Sequence, residues 1–242
     1  MTAIESLVQS MQAQWQRHEV IANNLANVST PGFKSDDLML VPDGASAAAS
    51  GANVLALPTG GALIQWTDFS QGFIHGTGRS LDAGLNGPGF FVIDTPTGPR
   101  YTRAGAFNVG RDGFLVGPNG SPVLGRNGPI AVTSSRITIG PAGEVIDSGR
   151  VVDTLRVVDF PRPYRLQKEG EGLFVPADPS VEPTAAKDYE VAGGALEASN
   201  VGTVKAMVSM IEVLRTYEAA QRAMQAIEEA NKQATSDIGR VS

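Results

Sequence analysis

Ala22-Asn23-Asn24-Leu25-Ala26-Asn27-Val28-Ser29-Thr30-Pro31-Gly32-Phe33-Lys34 reads as the end of an amphipathic helix followed by a hard stop. Proline has no backbone donor and disfavours helical geometry at the residue before it, so Ser29 to Gly32 close the helix. Upstream, Ile4, Leu7, Val8, Met11, Trp15, His18, Ile21, Leu25 and Val28 recur every three or four residues along one side. Thr2 with Glu5 three residues on is a capping-box signature. A helix of about 25 residues is marginal alone in water, so the stripe needs a partner.

The far end of the chain offers one. Asn200 reads as a helix N-cap. Val204, Met207, Met210, Ile211, Leu214, Tyr217, Met224 and Ile227 follow at three-four spacing. Glu218 with Arg222, and Glu228 with Lys232, are acid-before-base pairs of a solvated helix face. A helix from Asn200 to Thr235 is roughly 54 Å long at 1.5 Å per residue. Two such helices can zip into an antiparallel or crossed coiled coil. The N-terminal stripe is wide, since Leu7 and Val8, or Ile21 and Ala22, serve equally as seam positions. It has room for more than one neighbouring helix.

Between the helices the grammar is β from about Leu63 to Leu196. Gly89-Phe90-Phe91-Val92-Ile93-Asp94 is a buried-strand run, Thr95 to Pro99 supplies turn chemistry, and Arg100 to Ala104 returns as the second hairpin strand. Gly117-Pro118-Asn119-Gly120 and Gly140-Pro141-Ala142-Gly143 join further short apolar runs. Short connections without a βαβ rhythm imply antiparallel neighbours. The expected class is α+β: a discontinuous two-helix coiled-coil domain from the N- and C-termini plus a central antiparallel β domain rich in hairpins. Residues 1–34 form the N-terminal helix, 35–69 a linker or extended loop, 70–196 the β domain and 197–242 the C-terminal helix. Within 35–69, Leu38 to Val41 suits a short strand.

Composition narrows the function. A net charge of −6 without a basic cluster argues against nucleic acid as a partner. No apolar run approaches the ~20 residues that span a bilayer, so no membrane insertion is expected. Gln9, Gln12, Gln14 and Gln16 interrupt what a cleavable secretory signal would need. With no cysteine, disulfides and thiol catalysis are excluded. Aromatics at 6%, set against 28 glycines and 15 prolines, suit many short strands better than a large aromatic core.

No residue set carries obvious chemistry. His18 lies on the helix stripe, where a packed histidine outweighs a ligand, and His75 sits in a glycine-rich loop. Asp36-Asp37 and Glu228-Glu229 point in different directions as adjacent residues do, and read as solvated surface. Gly76-Thr77-Gly78 and Gly87-Pro88-Gly89 lack a dinucleotide or phosphate-loop fingerprint and read as turns. No cofactor and no metal site are expected. Asn23, Asn24 and Asn27 are either ordinary helix-surface amides or inter-helix hydrogen-bonding groups that fix register. The candidate assembly interface is therefore Leu7, Met11, Trp15, Ile21, Asn23, Asn24, Leu25 and Asn27, with Val204, Met207, Ile211, Leu214, Tyr217, Met224 and Ile227.

Ala22 to Lys34 resembles, nearly residue for residue, the N-terminal signature of the bacterial flagellar basal-body rod and hook proteins of the axial type. Ser70-Gln71-Gly72-Phe73, Thr77 to Asp82, Gly87 to Val92 and Tyr101 to Phe107 are similar to that family's β-domain motif. Gly194 to Val201, Met207 to Ile211 and Arg215 to Glu218 are similar to its C-terminal motif. Arg79, where the family often has asparagine, and Ala83 to Asn86 depart from the pattern. Val157-Val158-Asp159-Phe160-Pro161, Gly172 to Val175 and a short segment after the first motif are closest to the proximal-rod branch, ahead of the distal-rod branch. The resemblance implies a non-enzymatic structural subunit of the rod that crosses the periplasm, exported by the flagellar type III apparatus. Its partners would be other copies of itself and neighbouring rod proteins, with the terminal helices innermost. The rival reading is a secreted or periplasmic enzyme with a β core and helical oligomerisation arms. It lacks a nucleophile with a neighbouring base, a metal set and a cofactor loop.

Overall fold

A computed structural model describes residues 3–41, 53–56, 62–134 and 136–241. The class is α+β, and the chain divides into two compact units. The first holds the terminal helices together with residues 36–66, and the second holds residues 27–35 and 67–201.

In the first unit, α1 (Ala3–Ala26) carries Glu5 in its first turn, where an acid suits the positive end of the helix. It contacts α2 (Thr203–Val241). The segment expected as a linker contains β1 (Asp36–Val41), β2 (Asn53–Ala56) and β3 (Ala62–Thr67), in the sheet order β1-β3-β2 among the described residues. β2 and β3 are antiparallel, with Val54 opposite Ile64. Its small-residue run at 44–51 lies outside the described residues.

The second unit is built from hairpins. Its strands are β4 (Ile74–Gly76), β5 (Ala83–Asn86), β6 (Phe90–Thr95), β7 (Gly98–Thr102), β8 (Asn108–Val109), β9 (Leu115–Val116) and β10 (Ile137–Ile139). They continue as β11 (Glu144–Asp147), β12 (Arg150–Thr154), β13 (Val157–Asp159), β14 (Leu166–Gly170), β15 (Leu173–Pro176), β16 (Thr184–Ala185), β17 (Glu190–Gly193) and β18 (Ala195–Glu197). The largest sheet runs β14-β15-β7-β6-β13-β16, and a second runs β10-β11-β12. Pairs β17-β5, β18-β4 and β8-β9 complete the unit. The β6–β7 hairpin turns at Pro96-Thr97, with Asp94 opposite Pro99 and Thr95 opposite Gly98. Gly98 takes φ +107, which an L side chain resists.

Strand β6 explains the uninterrupted apolar run that marks it in the sequence. Successive side chains point to opposite faces, and here both faces are buried. Phe91 and Ile93 enter a core with Leu85, Phe107, Leu115, Val145 and Leu155. Phe90 and Val92 enter another with Tyr101, Phe160, Leu166 and Phe174. The sparse aromatics are concentrated in this second core, against the expectation from composition. The Phe90 ring lies 5.7 Å from Phe174, 5.5 Å from Tyr164 and 5.9 Å from Phe69, all edge-on. Such pairs contribute about 0.5–1.5 kcal/mol each beyond their area.

Asp147 ties the start of the β10–β11 hairpin. Its carboxylate accepts from the Ser134 hydroxyl, the Thr133 amide (2.8 Å), the Thr133 hydroxyl (3.0 Å) and the Ser134 amide (3.2 Å). The Ser134 hydroxyl first, then the Thr133 amide, hold this carboxyl well below the usual range. A folded-state value below the unfolded one gives stability that is fully present above the unfolded value, about 3.9. That stability is lost as pH falls through the folded value. Asp147→Asn is therefore expected to lower the urea midpoint at pH 7 and to flatten the decline of the midpoint between pH 5 and 2. An unchanged slope in that window would remove Asp147 as the cause.

Candidate assembly interface

The covered positions of α2 repeat at three and four. Met210, Tyr217, Met224 and Ile227 are half-buried, and Val213 and Ala220 are buried. On α1, Leu7, Met11, His18, Ile21 and Leu25 are half-buried at the same rhythm. Trp15 touches α2, its ring 6.4 Å from Tyr217, yet stays 52% exposed. It stacks on His18 at 5.8 Å and donates from its indole to Glu19 at 3.1 Å. The predicted interface thus falls into two sets. Tyr217, Met224 and Ile227 are at least half-covered within the chain. Val204, Met207, Ile211 and Leu214 are not, and Val208 joins them: Val204 is 76% exposed and Ile211 53%. Ile4 and Val8 are likewise exposed on α1. The exposed face of the later turns, by contrast, carries polar pairs such as Glu218–Arg222 at 3.3 Å.

The asparagines also divide. Asn23 is exposed, and Asn27 accepts from the Thr30 hydroxyl at 3.1 Å. Asn24 is buried and bonds twice to one residue of β1: its amide donates to Asp36 O at 2.7 Å and accepts from Asp36 N at 2.9 Å. It ties the end of α1 to the first residue of β1. Asp36 itself is buried and accepts from Gln65 at 3.1 Å, which corrects its reading as solvated surface.

The Pro-Gly-Phe-Lys stretch does more than stop a helix. Residues 27–35 belong to the β unit. Gly32 takes φ +69, and a Cβ there would lie 2.4 Å from the Arg103 carbonyl carbon. Phe33 is buried beneath the Lys168 ammonium, 4.2 Å from the ring centre. Lys34 is fully buried, donating to Glu197 Oε1 at 2.6 Å and to Ser70 O at 2.7 Å. Arg103 approaches the other oxygen, Oε2, at 3.5 Å and donates to Leu85 O (3.2 Å) and Gly87 O (2.8 Å). Burial pushes the Lys34 and Arg103 values down, and Glu197 opposes it in both.

Asn200 works in the same place. It is not the N-cap, since α2 begins at Thr203 and Ala206 N bonds to Gly202 O at 2.9 Å. Its side chain accepts from Ser35 N at 2.7 Å and donates to Asp68 O at 2.8 Å. Sequence reasoning missed the Lys34–Arg103–Glu197 cluster because its members are far apart in the chain. The available signal was a lone charge in each of three small, apolar blocks: Gly32-Phe33-Lys34, Arg103-Ala104-Gly105 and Ala195-Leu196-Glu197-Ala198.

Among the described residues no helix is long and apolar enough to cross a membrane. This is an α+β chain with amphipathic helices at both ends, part of whose apolar surface is left exposed by the described residues. Three family models match in order along it. "Flagella basal body rod protein" matches residues 4–34, "Flagellar hook protein FlgE/F/G D1 domain" 84–146, and "Flagellar basal body rod FlgEFG protein C-terminal" 192–237. The flagellar basal-body rod protein FlgF of Caulobacter vibrioides is 32% identical, over 93% of this chain and 92% of its own length. FlgF of Salmonella typhimurium is 32% identical over 87% of each chain. FlgG of Agrobacterium fabrum is 31% identical over 90% of this chain and 92% of its own. The chain belongs to the flagellar basal-body rod protein family. It is a structural component of the basal-body rod.

Proposed function

We propose that the chain is a proximal-rod subunit of the FlgF type whose helices form a two-helix coiled coil. Its uncovered stripe on α2 docks against the helices of neighbouring rod subunits, whether copies of itself or other rod proteins. The observation that carries this is the pair of faces on α2. One face is covered at Met210, Val213, Tyr217, Ala220, Met224 and Ile227, while Val204, Met207, Val208, Ile211 and Leu214 stand exposed beside it. Burying such a side chain in a neighbour contributes about 1.5–3 kcal/mol. No cofactor takes part. The Val157 to Pro161 block and the short segment after the first motif favour the proximal branch. The reading includes delivery by the flagellar type III export apparatus, on the strength of family membership.

The test is Ile211→Asp together with Leu214→Asp, both at exposed positions. The purified variant is expected to keep its circular dichroism and urea midpoint. Cells carrying it as their only copy are expected to build no complete rod and not to swim. Normal swimming by those cells would end the proposal.

A further inference from the structure

The buried charges of the β unit join chain segments that lie far apart in sequence. Glu197 Oε1 accepts from Lys34, 163 positions away, at 2.6 Å and from Gly72 N at 2.9 Å. Its Oε2 faces Arg103 at 3.5 Å and has no hydrogen-bond partner among the described residues. A single carboxylate therefore serves two fully or nearly buried cations. The backbone repeats the connection: Gly32 N donates to Glu197 O at 2.8 Å, Asn200 N to Phe33 O at 3.3 Å, and Ala198 N to Phe73 O at 2.8 Å.

We infer that Glu197 is the closing residue of a lock that makes segments 32–35, 70–73 and 197–200 order and open as one. The physical reason is asymmetry of cost. A buried cation whose partner leaves has nowhere to place its charge except in water, so its own segment follows. If 197–200 opens, Lys34 and Arg103 lose their counter-charge together, and Gly32 and Gly72 lose their acceptors. If 32–35 opens, Glu197 keeps the Gly72 amide but, as counter-charge, only the longer Arg103 contact, and Asn200 loses Ser35 N. The chain stretches next to α1 and α2 are thus held or released jointly, with no requirement for a partner protein. This coupling does not rest on the rod reading and survives its failure.

Amide hydrogen exchange on the full chain tests it, with the β10–β11 hairpin as internal reference. Glu197→Gln is expected to speed exchange in all three segments about tenfold or more beyond any change in the hairpin, whose own change reports the general loss of stability. Acceleration confined to 197–200 would overturn the lock. Where Glu197→Gln unfolds the hairpin too, Lys34→Met decides. It leaves Glu197 paired with Arg103, and is expected to loosen 32–35, 70–73 and 197–200 in parallel by a smaller factor. Unchanged protection of 197–200 in Lys34→Met would refute the coupling.

Discussion

Glu197→Gln is expected to remove about 3–5 kcal/mol of folding free energy, the usual cost of stranding a buried charge. It would show as a large fall in the urea midpoint at pH 7. The amide can still accept from Gly72 and Lys34, so shape and packing are nearly kept and the loss isolates the charge. Two cations are stranded at once, Lys34 at 0% side-chain exposure and Arg103 at 6%. Lys34→Met should cost distinctly less. Methionine fills similar space without charge, and Glu197 retains Arg103 and the Gly72 amide. The double variant should lose less than the sum of the two, because the second change removes a charge that the first had stranded. Equal costs for the two single variants would contradict a shared carboxylate.

The second large effect belongs to Gly32. Gly32→Ala incurs two penalties: an L side chain at φ +69, and a Cβ 2.4 Å from the Arg103 carbonyl carbon and 2.5 Å from Ala104 N. Backbone cannot step aside as a flexible side chain can. Strain of about 1–3 kcal/mol for the left-handed conformation adds to about 1–3 kcal/mol for overpacking. Gly78→Ala separates the two terms, since Gly78 has φ +73 but open space where its Cβ would sit. It is expected to show the conformational penalty alone. If both variants shift the thermal midpoint equally, the close approach at Gly32 contributes nothing.

Much of the architecture was legible because it rests on local rules. Helical periodicity gave both helices, and the Phe90 to Ile93 run with Pro96-Thr97-Gly98 gave the central hairpin. The resemblance in three ordered blocks gave the family. What stayed hidden depended on distance along the chain. No local pattern tells Lys34 to seek Glu197, or shows that Asn200 spends its amide on Ser35 and Asp68 before α2 begins. The assembly stripe was half legible. Three-four spacing marks every apolar position on α2, but it does not say which face the chain itself covers. That takes the packing of Trp15 beside Tyr217 and the burial of Val213 and Ala220, an apolar pair absent from the expected seam. Asp36 was misjudged for a related reason, since charge predicts exposure only until a strand partner such as Gln65 is placed beside it.

Strand β6 has a mechanical meaning. Phe90 and Val92 belong to one core and Phe91 and Ile93 to the other, so the strand is a party wall between two rooms. Sliding it by one residue would send every side chain into the wrong room, a phenylalanine into a slot shaped for valine. The two cores therefore cannot shear past each other in small steps. A twisting load on the β unit is met by a body that stays whole until the wall itself gives way.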